Sequence, residues 1–431
     1  MDSIFDAGIE CMDPDDRWKL QSERLVSLLE RLRRSASPYW QAKLQDVPAV
    51  HDIDDIALLP FTAKSELRDT YPFGMLAVPL ADTVRVHASS GTKGKATVVA
   101  YTAADVEVFA EANARCIAGA GGVSSDVMHN AYGYGLFTGG LGLHYGAERL
   151  GATVVPASGG NTSLQVRMMA DLGANGLLST PSFGLLLAER AEQEGVLDDI
   201  RRTLRFGAFG AEPWSEGFRS KLEAAWGGID ACDIYGLSEV MGPGVAGECR
   251  QGKGALHVCE DHFFPEIVDP QTGLPVGPGE LGELVITTLT KEALPVLRFR
   301  TGDITHFVDR PCSCGRTLRR IARLSGRTDD MLVVRGINVF PSEIEAVVLQ
   351  DESVSGHYRI LLDRRSTMAE LVVEVELAGQ GLVGARQGVA ERLRRALMDR
   401  LRVRVLVEVR DPGSIERSET GKAKRVFEIT A

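Results

Sequence analysis

Between residues 152 and 210 the chain reads ATVVPAS (152–158), GLLST (176–180) and FGAFG (206–210), with helical patterns near 163–172 and over 184–194 between them. Short apolar runs alternating with amphipathic helices predict parallel strands covered by helices, since a strand buried on both faces needs no polar alternation. On either side, VRVHASS (84–90) leads to a helical stretch near Ala103, and DACDIYG (230–236) is a strand running into a turn. From 262 to 308 the texture shifts to strands and turns, GELVITT (282–288) being the clearest, which predicts a β-rich subdomain. Upstream, Trp18, Leu25, Leu28, Leu29 and Leu32 recur at helical spacing in Asp16–Ser35 and predict an amphipathic helix.

After Gly326 the pattern changes again. MLVVRGINVF (331–340) reads as two short strands about a turn, and Pro341–Leu349 opens a helix with Pro, Ser and Glu in its first turn. YRILLD (358–363), LVVEVEL (371–377), an Arg-rich helix over 386–402 and VRVLVEV (403–409) complete a small α+β domain. The expected architecture is α/β: a large domain over 1–328 of parallel-type sheets, helices and a β-rich subdomain, then a mobile α+β domain over 329–431. The Arg-rich helix interleaves Glu391 and Asp399 and repeats Leu393, Leu397 and Leu401, which marks a solvated amphipathic face.

Composition narrows the function classes. With 48 Lys and Arg against 59 Asp and Glu, the 431-residue chain carries a formal charge of −11, a poor balance for neutralising nucleic-acid phosphates. No apolar run approaches the roughly 20 residues of a membrane-spanning helix. MDSIFDAGIE (1–10) lacks a charged-then-apolar leader, so a cytoplasmic protein is expected. Seven cysteines, an odd number, suit a reducing compartment. Only 10 of the 48 cationic residues are Lys, and four of them, Lys93, Lys95, Lys422 and Lys424, sit in two short glycine-containing stretches. Scarce ammonium groups beside glycines point to phosphate chemistry.

The first stretch, Ser89-Ser90-Gly91-Thr92-Lys93-Gly94-Lys95, follows a predicted strand. Its glycines let successive N–H groups face one concavity, as a phosphate requires, although a polar hairpin turn fits the composition equally well. Tyr235-Gly236-Leu237-Ser238-Glu239 ends a strand, where α/β sheets usually bind ligands and where a carboxylate can hold Mg²⁺ against phosphates. Arg300-Thr301-Gly302-Asp303 and Gly326-Arg327-Thr328-Asp329-Asp330 are further turns joining glycine to an acid, and Asp303 could accept from vicinal ribose hydroxyls.

Taken in order, HASSGTKGKATVV (87–99), YGYGLFTGGLGLHYGAERLGATVVPASGG (132–160), GAEPW (210–214), DIYGLSE (233–239), EDHFFPEIVDP (260–270), LTKEALPVLRFRTGD (289–303), GRTDDMLVVRGINVFPSEIE (326–345) and ETGKAKR (419–425) make the chain resemble the adenylate-forming superfamily. Within it the chain resembles the phenylacetate–CoA ligase family over nearly its whole length. The resemblance implies a two-step ligase that uses ATP and Mg²⁺ to form an aryl-adenylate, then transfers the acyl group to coenzyme A. The alternative acceptor is the phosphopantetheine of a carrier protein.

It also implies roles. Ser89, Ser90, Gly91, Thr92, Lys93 and Gly94 would embrace the phosphates, with Lys422, Glu239 and Thr92 as the catalytic set and Glu239 at Mg²⁺. Ala211, Glu212, Pro213, Asp233, Ile234 and Tyr235 would frame the adenine, and Asp303 and Arg327 the ribose. Tyr132, Phe137, Ala211, Ile234, Gly236 and Pro243 would line the acyl pocket, which without a carboxylate suits an aryl acid and not an α-amino acid. Asp329 matches the interdomain hinge and Gly336 the coenzyme A tunnel. Lys93 and Ala96 depart from the usual loop, which has Thr and Pro there.

Cys312-x-Cys314 lies in PCSCGR (311–316), a turn where two thiolates can face one metal. The resemblance supplies Cys249 and His257 as the other ligands of a structural Cys₃His zinc site, with Cys259 a rival for the place of His257. The other histidines form no Ser-His-Asp or Cys-His pattern. Small molecules (the aryl acid, ATP and CoA) are the implied partners, with no nucleic acid and no membrane. Related proteins are often homodimers, for which the 16–35 helix is a candidate contact.

Overall fold

The computed structural model describes residues 4–89, 96–328, 330, 332–334, 337–365, 370–418 and 423–429. Its centre is an eight-stranded sheet in the spatial order Arg320–Ala322, Ala255–Val258, Gly242–Gly247, Asp230–Leu237, Phe206–Gly210, Gly176–Ser179, Val127–Asn130, Thr153–Val155. The last five are parallel, as the alternating pattern predicts, and the first three join antiparallel. Arg85–Ala88 departs from that expectation. It pairs antiparallel with Val98–Tyr101 in a separate two-stranded ribbon, because the few residues between them leave no room for a crossover helix.

The β-rich subdomain is a four-stranded antiparallel sheet of Phe263–Val268, Gly282–Thr288, Phe299–Thr305 and Gly326–Arg327. The C-terminal sheet orders Val405–Arg410, Glu370–Leu377, Val354–Asp363 and Val426–Ile429, with the helix Arg386–Leu401 burying Val389, Leu393, Leu397 and Leu401. One hydrophobic core runs from the large sheet into this region, joining Leu177, Phe209 and Phe218 to Leu349, Tyr358, Val373 and Leu397.

The N-terminal helix spans Pro14–Arg34. Asp13 caps it by accepting from the Asp15 amide, Pro14 opens it, and acids in the first turn with arginines in the last complement its dipole. Its buried leucines face the β-rich side of the molecule. A second capped helix, Ala103–Gly119, begins where Thr102 and Asp105 exchange side-chain-to-backbone hydrogen bonds. Asp105 also accepts from the amides of Glu292 and Ala293, which ties the two subdomains together at the start of that helix.

Candidate active site

Parallel strands deliver their C-terminal ends and following loops to one edge of the sheet, and Ala211–Pro213 and Tyr235–Glu239 bring six of the predicted residues there. Gly210 stands opposite Ile234, so Ala211–Pro213 emerge beside Tyr235–Glu239. The approach is close. A Cβ on Gly210 would lie 2.1 Å from the Ile234 carbonyl oxygen, and one on Gly236 would lie 1.7 Å from that of Gly242, so neither position admits a side chain. Ala211 adopts φ 72°, a left-handed backbone that costs a non-glycine residue about 1–2 kcal/mol.

Three acids converge here. Asp303 is buried on Phe299–Thr305; one carboxylate oxygen accepts from the Tyr235 hydroxyl at 2.6 Å and the other from Arg327 Nη1 at 2.5 Å. Pairing of Asp303 with Arg327 across the sheet sets that contact. Glu239 is buried with its carboxylate 2.8 Å from Lys64 Nζ, so its surroundings already accommodate a cation. A carboxylate that holds an ammonium at this distance has the hard oxygen donors a Mg²⁺ ion takes. Asp233 lies 3.6 Å from Arg323 Nε and donates its amide to Glu248. Burial, opposed by Arg323 and reinforced by the Glu248 charge, pushes its carboxyl up to about 6. Arg219 clasps Glu248 through Nη2 at 2.7 and 2.8 Å, and the guanidinium groups of Arg219 and Arg323 lie 5.0 and 4.5 Å from the Trp214 ring centroid.

The expected acyl-pocket residues gather only in part. Tyr132 and Ile234 share one apolar cluster with Leu143 and Phe206. Gly236 pairs with Pro243, whose carbonyl accepts from the Asn113 amide group. Phe137 is half exposed, at the foot of Gly139–Leu150, and its neighbour Thr138 meets the Ser238 hydroxyl at 3.2 Å. No charged side chain occurs among the six.

The Glu212 side chain turns toward the C-terminal segment. Its carboxylate accepts from the Ser182 amide at 2.7 Å and from the Ala423 amide at 3.0 Å, so it joins the large domain to the C-terminal segment. Around it, Glu345 accepts from the Ser215 amide at 2.6 Å and from the Tyr358 hydroxyl, Arg425 Nη2 donates to Ser182 Oγ, and His357 meets Glu189 at 2.7 Å. Ser89 is described, its amide donating to the Thr97 carbonyl. Ser90, Gly91, Thr92, Lys93, Gly94, Lys95, Asp329, Gly336 and Lys422 lie outside the described residues. Lys64, Lys291 and Arg323 escaped the sequence reading; for the two lysines, the rarity of that residue was the available signal.

The cysteine turn closes on a defined cluster. One ligand atom from each of Cys249, His257, Cys312 and Cys314 lies within 4.8 Å of the others. Cys249 Sγ is 3.5 Å from Cys312 Sγ, and Cys314 Sγ is 3.5 Å from His257 Nε2. Those edges fit a tetrahedron with Zn–S of about 2.3 Å, whose S–S edge is about 3.7 Å. Cys259 stands apart: the strand ends at Val258, and the Cys259 amide bonds back to Val245. A Cβ on Gly252 would lie 2.5 Å from Cys312 Sγ, so the turn around the cluster requires glycine.

The sequence matches the AMP-binding enzyme family over residues 19–290 and the AMP-binding enzyme C-terminal domain over 336–429. A phenylacetate-coenzyme A ligase of Aromatoleum evansii is 45% identical, covering 97% of this chain and 96% of its own. The phenylacetate-coenzyme A ligase of Escherichia coli (strain K12) is 46% identical, covering 98% and 97%. Among solved structures, 2-hydroxyisobutyryl-CoA ligase in the postadenylation state with R3-HIB-AMP is 27% identical and aligns with TM-score 0.89 over 99% of this chain and 92% of that one. The same ligase in its thioesterification state, 28% identical, aligns at 0.73 over 99% and 93%. The chain thus aligns more closely with that ligase in its postadenylation state than in its thioesterification state. On full-length identity and the site geometry together, the chain belongs to the phenylacetate–CoA ligase family of AMP-binding, adenylate-forming enzymes.

Proposed function

We propose that the chain activates an aryl acid of the phenylacetate or benzoate type and passes it to coenzyme A. A carboxylate oxygen attacks the α-phosphorus of ATP and pyrophosphate leaves; the CoA thiolate then attacks the acyl carbon and AMP leaves. The observation that carries this reading is the full-length relation to ligases of that name. The uncharged character of Tyr132, Phe137, Ala211, Ile234, Gly236 and Pro243 supports an aryl acyl group.

In this reading Asp303 accepts from the ribose hydroxyls, and Asp233 with Ala211–Pro213 borders the adenine. Mg²⁺ on the Glu239 carboxylate would neutralise phosphate charge. The 89–94 loop, with Thr92, encloses the phosphates, and Lys422 bridges the acid and the α-phosphate. Tyr235→Phe removes one donor that orients Asp303, so KM for ATP is expected to rise about fivefold with kcat little changed, as loss of one hydrogen bond to a charged group predicts. Steady-state kinetics checks this.

The reading extends to a structural zinc ion on Cys249, His257, Cys312 and Cys314, which takes no part in catalysis, and to a chain working in the cytoplasm as a homodimer. No helix among the described residues is long and apolar enough to cross a membrane. The domain division at 328/329 belongs to it as well, with Asp329 as hinge and Gly336 on the pantetheine path after the small domain swings. Incubation with ATP, a panel of aryl acids, and either CoA or a holo carrier protein, followed by mass spectrometry, tests it. Aryl-CoA is expected. Product on the carrier alone would replace CoA as the acceptor, and absence of adenylate with every acid would overturn the reading.

A further inference from the structure

Lys291 is fully buried, yet among the described residues it forms no ion pair. Its Nζ donates to the Val240 carbonyl at 2.8 Å and stands 4.8 Å from the centroid of the Tyr101 ring. Tyr101, buried beside it, donates its hydroxyl to the Met241 carbonyl at 2.7 Å. Val240 and Met241 are the two residues after Glu239, and their amides both bond back to the Leu237 carbonyl at 3.1 Å. The turn that carries Glu239 is thus closed on itself and held from outside at two successive carbonyls.

Both holding groups are themselves fixed. The Glu292 and Ala293 amides donate to Asp105 at 2.7 and 2.9 Å, which pins the chain next to Lys291 onto the first turn of Ala103–Gly119. Tyr101 ends Val98–Tyr101, the strand that leaves the 90–95 stretch. The phosphate-side strand, the Glu239 turn and the β-rich subdomain meet at this one lysine.

A buried carbonyl needs only a neutral donor, and an apolar side chain of the same volume avoids desolvating a charge altogether. A lysine here therefore points to a use for its charge. The acids acting on it are Asp105 and Glu239, and Glu239 is itself buried. In a low-dielectric interior a fixed positive charge attracts neighbouring carboxylates and so restrains their position. Burial pulls Lys291 down to about 8, so it still carries its charge at neutral pH.

We propose that Lys291, with Tyr101, is a positioning residue for adenylation: by holding the Val240 and Met241 carbonyls it fixes the Glu239 turn and orients that carboxylate for a divalent cation. The proposal rests on the reading of Glu239 as the metal-side acid. Groups that orient a metal ligand commonly contribute about 10–100-fold in metal affinity or activity.

Lys291→Met, Tyr101→Phe and Glu239→Gln are the variants to compare. Mn²⁺ binding in the presence of a non-hydrolysable ATP analogue is read from the EPR amplitude of free Mn²⁺. Pyrophosphate exchange is followed against Mg²⁺ concentration, and thioesterification is assayed with supplied aryl-adenylate. Lys291→Met is expected to weaken Mn²⁺ binding and raise the Mg²⁺ half-saturation by about tenfold, with thioesterification within about twofold of the parent. Tyr101→Phe, which deletes one hydroxyl and keeps the ring, should shift both cation readouts in the same direction by about threefold, and it carries the test if Lys291→Met fails to fold. Unchanged cation binding in Lys291→Met and Tyr101→Phe, with Glu239→Gln strongly weakened, overturns the inference alone. Unchanged cation binding in Glu239→Gln overturns the reading beneath it. Equal loss in both half-reactions without a cation shift makes Lys291 a packing residue and also overturns the proposal.

Discussion

Lys422→Ala is expected to abolish acid-dependent pyrophosphate exchange, by about a thousandfold or more, while thioesterification of supplied aryl-adenylate stays within about twofold of the parent. The asymmetry follows from charge. Adenylation brings a carboxylate to an anionic α-phosphate, and a compact ammonium between them offsets the repulsion that otherwise dominates the barrier. Thioesterification has no such encounter. The structure adds a means of delivery: Glu212 accepts from the amide of Ala423, the residue after Lys422, and from Ser182 on the large domain. Glu212→Gln keeps the shape but loses the anionic acceptor, so it should lower adenylation by about tenfold and spare the second step. Parallel assays of the two half-reactions check both variants. Equal loss in both would remove Lys422 from the α-phosphate.

Cys314→Ser is expected to release the metal and lower Tm by about 5–10 °C, while activity at low temperature persists. Three thiols and an imidazole drawn within 4.8 Å are stable as thiolates only around a cation, since without one the sulfurs repel or must take up protons. The cluster joins elements far apart in the chain: His257 from a strand of the large sheet, Cys249 from the loop before it, and the 312–314 turn. Beside it Arg316 Nε meets Glu10 at 2.5 Å, and Glu10 accepts from the Phe5 and Asp6 amides, so the N-terminal segment is fastened to the same turn. Elemental analysis of protein purified without added zinc should give one zinc per chain for the parent and none for Cys314→Ser. A metal-free parent with unchanged Tm would sink the zinc reading.

The lysines show where local sequence stops specifying the site. Rarity of lysine drew attention to Lys93, Lys95, Lys422 and Lys424 because glycines flank them. Lys64 and Lys291 are equally rare, but FTAKSEL (61–67) and LTKEALP (289–295) carry no local mark of phosphate or metal. Their placement depends on folding: Lys64 reaches Glu239 across 175 positions of sequence and Lys291 reaches Val240 across 51. The family resemblance puts the Ala211–Pro213 segment at the adenine, but no local feature shows that the Glu212 side chain turns toward Ala423.

The sequence by itself determined the parallel centre of the sheet, the β-rich subdomain, the α+β C-terminal region and the family, because strand and helix periods and long motifs are local properties of the chain. Tertiary structure decided what depends on convergence. The ribbon at Arg85–Ala88 left the parallel sheet for want of crossover length. His257, not Cys259, joined the cysteines because the strand ends between them and the chain turns away. Asp303 found Tyr235 and Arg327 through strand register. In each case the contact is fixed by which side chains distant segments bring together, and no window of sequence contains that information.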